Sequence, residues 1–167
     1  MSQFREDIQL IHDSLVQNKG EHAGLFPVRR LMRRIDTFGF RLVTLDVRQD
    51  AHVHREVIGE CLGEDDWMEM PSTERSKRII DALESREGVP EHLSTQARKT
   101  IAVFQAIGFC RRKYGKRAIG PFIVSMTQGA DDILSVLLLA QWGELHNRRG
   151  EVPLDVTPLL ETVDDLH

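Results

Sequence analysis

The feature that most constrains the fold is a pattern that occurs three times, in which an apolar run gains a polar end and leads into a helix. Its three copies are residues 40–49, 121–127 and 152–161. Each is short enough for a strand, and a helical segment is expected directly after it, at residues 50, 131 and 162. Consecutive strand-to-helix units imply parallel strands joined by crossover helices. The expected fold is therefore helix-rich α/β, either a doubly wound sheet or part of a (β/α)₈ TIM-type barrel.

The first copy carries different chemistry on its two faces. In an extended strand the side chains alternate, which separates the apolar set Val43, Leu45 and Val47 from the polar set Thr44, Asp46 and Arg48. Ligands bind at the carboxyl ends of strands in α/β folds, so Arg48 is the first candidate functional residue. The structural alternative is that Asp46 and Arg48, which share a face, neutralise each other.

The polar ends of the three copies are expected to meet. Arg48, residues 125–127 and Glu161 each lie at the carboxyl end of their strand, and parallel packing gathers such ends at one rim. A guanidinium binds phosphate or carboxylate oxygens, and a carboxylate oxygen binds Mg²⁺. The rim therefore suits an anionic substrate with a divalent cation. The alternative for Glu161 is that it caps the next helix or pairs with a nearby base. Pro153 and Pro158 would be awkward in a central strand.

The remaining chain is predicted to be largely helical, on apolar spacing and terminal signals. The expected helices cover residues 4–15, 27–38, 50–62, 72–83, 94–114 and 131–142. Ser72 is expected to cap its helix with the hydroxyl, and Asp131 and Asp132 suit the positive end of the helix dipole. His52 and His54 point to different faces of a helix, which favours capping or surface roles over a metal pair.

Composition bounds the class of protein. The 167 residues are 41% hydrophobic and 29% charged, with a net charge of −4, so we expect one domain and no nonspecific binding of nucleic acid. Cys61 and Cys110 are far apart in helical segments and are expected to be reduced core residues. No apolar run is long enough to span a membrane, and we expect no signal peptide because the first residues lack an apolar h-region. A cytoplasmic location is expected.

Three segments carry a resemblance to a known family. FGFRLVTLDVRQD at 38–50, GPFIVSMTQGADDILSVLLLAQ at 120–141 and VPLDVTPLLETVDDL at 152–166 resemble consecutive barrel motifs of phosphoenolpyruvate carboxylase, in that family's order. The helices before residue 38 are also similar, whereas residues 63–100 are less diagnostic. The resemblance implies that residues 1–167 form a single partial domain of a carboxylase-like barrel.

The resemblance also implies an activity and site residues. Enzymes of this family convert phosphoenolpyruvate and bicarbonate, with Mg²⁺ or Mn²⁺, into oxaloacetate and phosphate. In the family motif LDIRQ the arginine contacts substrate phosphate and matches Arg48; in PLFET the glutamate is a metal ligand and matches Glu161. Asp50 stands where the family usually has glutamate.

Several family motifs have no counterpart in these residues: the catalytic histidine, the second metal-binding aspartate, the glycine-rich arginine loop and the C-terminal substrate arginines. The chain alone is therefore expected to be inactive, to bind metal weakly or not at all, and to self-associate through its uncovered strand edge. Two hypotheses remain. The chain is a segment of a phosphoenolpyruvate carboxylase, or it is a noncatalytic binding or assembly protein that retains a truncated carboxylase scaffold.

Overall fold

The computed structural model describes residues 1–40, 43–147 and 149–163, which form two compact units, Met1–Thr44 and Leu45–His167. The first unit contains helix α1 (Ser2–Gln17), a π-helical turn (Glu21–Leu25) and helix α2 (Phe26–Phe38). These elements confirm the two helices predicted for this part of the chain.

Local signals define the ends of α2, and an ion pair joins α2 to α1. Pro27 lies in the first turn of α2, where its missing N–H costs nothing. The helix ends at Gly39, which has a φ of 62° and donates its amide to the Ile35 carbonyl at 2.8 Å. Arg5 of α1 donates Nε to Asp36 Oδ1 of α2 at 2.6 Å. The four arginines of α2 are all exposed, as on a solvated face: Arg29, Arg30, Arg33 and Arg34.

The second unit is a small parallel sheet with helices between its strands. Its elements in chain order are β1 (Leu45–Asp50), α3 (Ala51–Leu62), α4 (Ser72–Ser85), α5 (Thr95–Tyr114), a 3₁₀ turn (Lys116–Ala118), β2 (Ile119–Ser125), α6 (Ala130–Trp142) and β3 (Val156–Pro158). All pairings are parallel, and the strand order β1-β2-β3 follows the chain. The helix-rich α/β class is confirmed, with a three-stranded sheet.

Strand β1 is shorter than the predicted 40–49 and lies at one edge of this sheet. It begins at Leu45, and the predicted residues 41 and 42 lie outside the described part. Val47 packs against the core, but Val43 and Leu45 are each 60% exposed. The predicted apolar face therefore meets a helix only toward its carboxyl end.

Strand β3 is also shorter than the predicted 152–161, with only three residues. A proline cannot donate to a strand ladder, which restricts pairing around Pro153 and Pro158. The flanking backbone still follows β2, since Phe122 N donates to Asp155 O and Leu159 N donates to Val124 O, both at 2.8 Å. The helix expected from residue 162 falls mainly on residues 164–167, outside the described part.

The core of the second unit lies between the sheet and α3, α4, α5 and α6. The Phe104 and Phe122 rings stack with centroids 5.0 Å apart, and both are fully buried. Gly59 of α3 allows Trp67 to pack closely, because a Cβ at this glycine would lie 2.8 Å from Trp67 Cβ. Cys61 belongs to this core, and both it and the half-buried Cys110 are free thiols.

Helix termini explain why β1 runs straight into a helix. The Asp50 carboxylate accepts the His52 amide at 2.8 Å, and Gly63 closes α3 in the left-handed conformation. Ser94 caps α5 by accepting the Ala97 amide at 3.0 Å. The helices predicted at residues 50–62 and 94–114 are confirmed. Each helix within the described residues is too short or too polar to cross a membrane.

Candidate active-site rim

The carboxyl ends of the three strands meet, as the sequence predicts. Arg48 and Asp50 of β1 lie opposite Ile123 and Ser125 of β2. Ser125 Oγ donates to the Gln49 carbonyl at 3.3 Å, which ties the two strand ends together. The backbone beyond β2 also reaches the segment after β3, since Thr127 N donates to Leu159 O at 3.3 Å. We refer to residues 48–50, 125–129 and 159–161 as the rim.

The two predicted site residues are in direct contact at the rim. Arg48 Nη2 donates to Glu161 Oε1, although the residues are 113 positions apart in the sequence. Their side chains are 55% and 31% exposed, so both remain accessible to a ligand. Among the described residues, the carboxylate partner of Arg48 is therefore Glu161 and not its same-face neighbour Asp46.

The loop from β2 to α6 contains a strained residue. Met126 has a φ of 55°, in the left-handed region that residues other than glycine rarely adopt. Thr127 Oγ1 donates to the Val124 carbonyl at 2.8 Å and closes the turn. Such conformations cost about 1–3 kcal/mol and persist where the surrounding structure holds them. Here the strain turns the chain from β2 into α6 at the rim.

A buried charge network, consisting of Arg55, Ser72, Arg75, Asp131 and Asp132, lies beneath this loop. Arg55 Nε donates to Asp132 Oδ1 at 2.8 Å, and Arg55 Nη2 donates to Asp132 Oδ2 at 2.7 Å. Arg75 Nε donates to Asp131 Oδ2 at 2.7 Å. Both carboxylates are at most 1% exposed. Since burying an unpaired carboxylate is very costly, the two arginines are required partners.

The contacts of the network show that the predicted cap by Ser72 is wrong and that Asp132 lies at the start of α6 as predicted. Ser72 does not cap α4; Pro71 is the N-cap, and the Ser72 hydroxyl donates to Asp131. Asp132 does serve the N-terminus of α6, by accepting the Gln128 and Gly129 amides at 2.8 Å and 3.3 Å. Sequence reasoning missed the arginine partners. The available signal was two adjacent acids in the first turn of a strongly apolar helix, where burial demands opposite charge.

The two histidines of α3 have different environments. His52 is exposed, with Nε2 3.3 Å from Glu56, as expected of a surface residue. His54 is fully buried against Phe122, with ring centroids 5.6 Å apart, so its predicted surface or capping role is wrong. Neither ring nitrogen has a hydrogen-bond partner in the described structure. Burial lowers the pKa of His54 to about 4, against the opposing effect of Asp132 and Asp50.

The described residues do not by themselves form a metal centre. Within 1–40, 43–147 and 149–163, no group of three or more histidine, cysteine, aspartate or glutamate side chains could hold an ion. Mg²⁺ takes about six oxygen ligands. A single carboxylate such as that of Glu161 accounts for only one of these ligands.

Fold and rim together define a class: an α/β protein of parallel strand-to-helix units that presents an arginine and a carboxylate at the carboxyl ends of its strands. Comparison with known proteins is more specific. The family model described as phosphoenolpyruvate carboxylase matches residues 1–167. The chain belongs to the phosphoenolpyruvate carboxylase family.

Individual relatives agree. The chain is 43% identical over 165 residues to the phosphoenolpyruvate carboxylase of Xanthomonas oryzae pv. oryzae. This alignment covers 99% of the chain and 18% of the relative. Identity to the phosphoenolpyruvate carboxylase of Mycobacterium leprae is 35% over 147 residues, or 82% of this chain and 16% of the relative. The corresponding enzyme of Rhodopseudomonas palustris is 31% identical over 99% of this chain and 19% of its own length.

The chain thus spans less than a fifth of the curated relatives it matches. The match supports the interpretation of these residues as a segment of a phosphoenolpyruvate carboxylase over the noncatalytic alternative.

Proposed function

We propose that this chain supplies the early part of a (β/α)₈ barrel, as a single partial domain, to an enzyme that carboxylates phosphoenolpyruvate with bicarbonate to give oxaloacetate and phosphate. The observation that carries the proposal is the meeting of Arg48 and Glu161 at the carboxyl ends of parallel strands. The strand order supports a barrel, because β1, β2 and β3 are neighbours in chain order, whereas a doubly wound sheet reverses its order at a switch point.

Arg48 binds the phosphate of phosphoenolpyruvate in this proposal. A guanidinium has five N–H donors, and the hydrogen bond to Glu161 is made by Nη2. With 55% of the side chain exposed, the remaining donors can form a forked pair with phosphate oxygens. The charge of Arg48 then offsets the negative charge of the substrate at the position where the strands end.

Glu161 supplies one oxygen ligand to Mg²⁺ or Mn²⁺. When bound, such an ion stabilises negative charge on a substrate oxygen. Pairing with Arg48 holds the carboxylate at the rim, and a partial exposure of 31% leaves it open to solvent. The remaining ligands come from parts of the enzyme beyond this segment.

The isolated chain is expected to lack carboxylase activity. One arginine and one carboxylate cannot hold the metal, the phosphate and the bicarbonate together, and positioning contributes up to roughly 7–11 kcal/mol to such reactions. The exposed edge of β1, with Leu45 60% exposed, favours self-association of the isolated chain. We further propose a cytoplasmic protein whose partners include neither nucleic acid nor a membrane.

A substitution of Arg48 tests the proposal in a complete carboxylase that contains this segment. Arg48→Gln should raise the KM for phosphoenolpyruvate at least about tenfold, since a hydrogen bond to a charged group contributes about 1.5–3 kcal/mol. Arg30→Gln, which removes an exposed arginine from α2, is the matched control and should leave the KM unchanged. An unchanged KM in Arg48→Gln would refute the role given to this residue.

A further inference from the structure

We propose that Asp132 is a positioning residue, which fixes the loop after β2 and, through it, the segment that carries Glu161. This inference rests on the proposed function for its catalytic meaning, but its structural content concerns this chain alone. Asp132 is fully buried and lies on α6, so it does not itself belong to the exposed surface of the rim.

The carboxylate of Asp132 joins a helix to a loop backbone. One side of it receives the fork of Arg55, at 2.8 Å and 2.7 Å. Oδ2 also accepts the Gln128 amide at 2.8 Å and the Gly129 amide at 3.3 Å. Arg55 Nη1 reaches the same loop, by donating to Gln128 Oε1 at 3.0 Å. Loop residues 128 and 129 are therefore held to α3 and α6 by one buried ion pair.

The loop in turn is bonded to the segment before Glu161. Thr127 N donates to Leu159 O at 3.3 Å, and Leu159 N donates to Val124 O at 2.8 Å. Glu161 follows Leu159 by two residues and contacts Arg48. Hydrogen bonds, joined by the backbone of residues 127–128, thus lead from Asp132 to the segment that ends at Glu161 of the rim.

The loop packs closely against Ser72 and Asp131 at Gly129. A Cβ on Gly129 would lie 2.3 Å from Ser72 Oγ and 2.6 Å from Asp131 Oδ1. The loop backbone therefore passes directly over the buried charge network. The hydrogen bonds from the Gln128 and Gly129 amides to Asp132 lie at this point of close approach.

Asp131 provides a matched control for Asp132. Both are aspartates in the first turn of α6, both are at most 1% exposed, and each is paired with an arginine. The hydrogen bonds of the Asp131 carboxylate come from the side chains of Ser72 and Arg75, whereas that of Asp132 also binds loop amides. Replacing either aspartate by asparagine damages a buried ion pair. Only Asp132→Asn also weakens the hydrogen bonds to the loop amides, because an asparagine has one accepting oxygen instead of two.

The first test measures amide hydrogen exchange in the 167-residue chain. Asp132→Asn should speed exchange at Gln128, Thr127 and Leu159 by about tenfold or more relative to Asp131→Asn, after correction for the global stability of each variant. Equal exchange at these amides in the two variants would overturn the proposal. Arg55→Lys keeps the positive charge but loses the two parallel hydrogen bonds to Asp132, so it should raise the exchange rate at the same amides by a smaller factor. If Asp132→Asn does not fold, this variant tests the positioning role instead.

The second test uses a complete carboxylase that contains this segment and separates this inference from the proposed function. Asp132→Asn should raise the KM for phosphoenolpyruvate several-fold, and Asp131→Asn, with a similar loss of stability, should not. If Arg48→Gln leaves the KM unchanged, the proposed function fails while the exchange result still decides the positioning of the loop. If Arg48→Gln raises the KM and Asp132→Asn behaves as Asp131→Asn in both tests, the positioning role is wrong.

Discussion

Acid should destabilise the second unit through one residue, His54. Its imidazole is fully buried, and both ring nitrogens lack a partner in the described structure. Burial lowers the pKa of His54 from 6.5 to about 4. The unfolded chain therefore binds a proton at a higher pH than the folded chain does. The stability associated with the neutral ring is fully present above pH 6.5 and is lost as the pH falls toward 4.

The size of this loss follows from the shift. Each pKa unit corresponds to about 1.4 kcal/mol, so a shift from 6.5 to about 4 removes up to about 3 kcal/mol of the free energy of unfolding. Arg78 lowers the pKa of Glu87 below the ordinary value of 4.5 through a hydrogen bond at 2.8 Å, so this carboxylate stays charged to a lower pH. The contribution of His54 is separable by substitution, because a variant without the imidazole loses this contribution and keeps the carboxylates.

Urea unfolding at a series of pH values between 7 and 4 measures this contribution. The free energy of unfolding should fall with pH in the starting chain, and His54→Leu should remove most of that fall whatever its effect at pH 7. His52→Leu is the matched control, since His52 is exposed on the same turn and its loss should leave the decline intact. A decline of equal size in His54→Leu would refute the reasoning.

Three further predictions concern packing, assembly and activity. Gly59→Ala should destabilise the chain by about 1–3 kcal/mol, as measured by urea unfolding followed by tryptophan fluorescence, because the added Cβ would lie 2.8 Å from Trp67 Cβ. Gly88→Ala, with open space around it, should have little effect. Leu45→Lys should reduce the average mass found by light scattering, since a charge on an edge strand opposes pairing, and a mass unchanged from that of a self-associating starting chain would argue against assembly through this edge. Purified chain should form no oxaloacetate above a no-enzyme control, and detectable product would show that the described residues suffice for catalysis.

Local chemistry explains why much of the fold was predictable. The caps at Asp50, Ser94, Gly39 and Gly63 each involve residues close in sequence, so their types alone locate helix ends. The strand-to-helix pattern then implies parallel strands, which brings Arg48 and Glu161 together without knowledge of any contact. A shared rim for two residues 113 positions apart was predictable because topology determines which strand ends meet, whereas the ion pair itself matches the alternative of Glu161 pairing with a nearby base.

The remaining features depend on packing that spacing does not encode. Arg55 could belong to a solvated helix face as well as to a buried pair, and its partner Asp132 lies 77 residues away. Ser72 has the residue type of an N-cap, yet Asp131 takes its hydroxyl because α4 and α6 pack together. His54 was expected at the surface, since a polar residue near a helix start usually lies there. In each case a neighbour from another element decides the role.

The proposed role of Glu161 as a metal ligand is the central claim, and a metal titration tests it most directly. In a complete carboxylase containing this segment, Glu161→Gln should raise the Mg²⁺ or Mn²⁺ concentration needed for half-maximal activity at least about tenfold, because a neutral amide oxygen is a poorer ligand for a hard cation. The melting temperature of this variant should stay close to that of the starting enzyme. Glu84 is an exposed glutamate of α4, and the control Glu84→Gln should change neither the metal requirement nor the melting temperature. A lower melting temperature with an unchanged metal requirement would contradict the claim and leave Glu161 as a structural partner of Arg48.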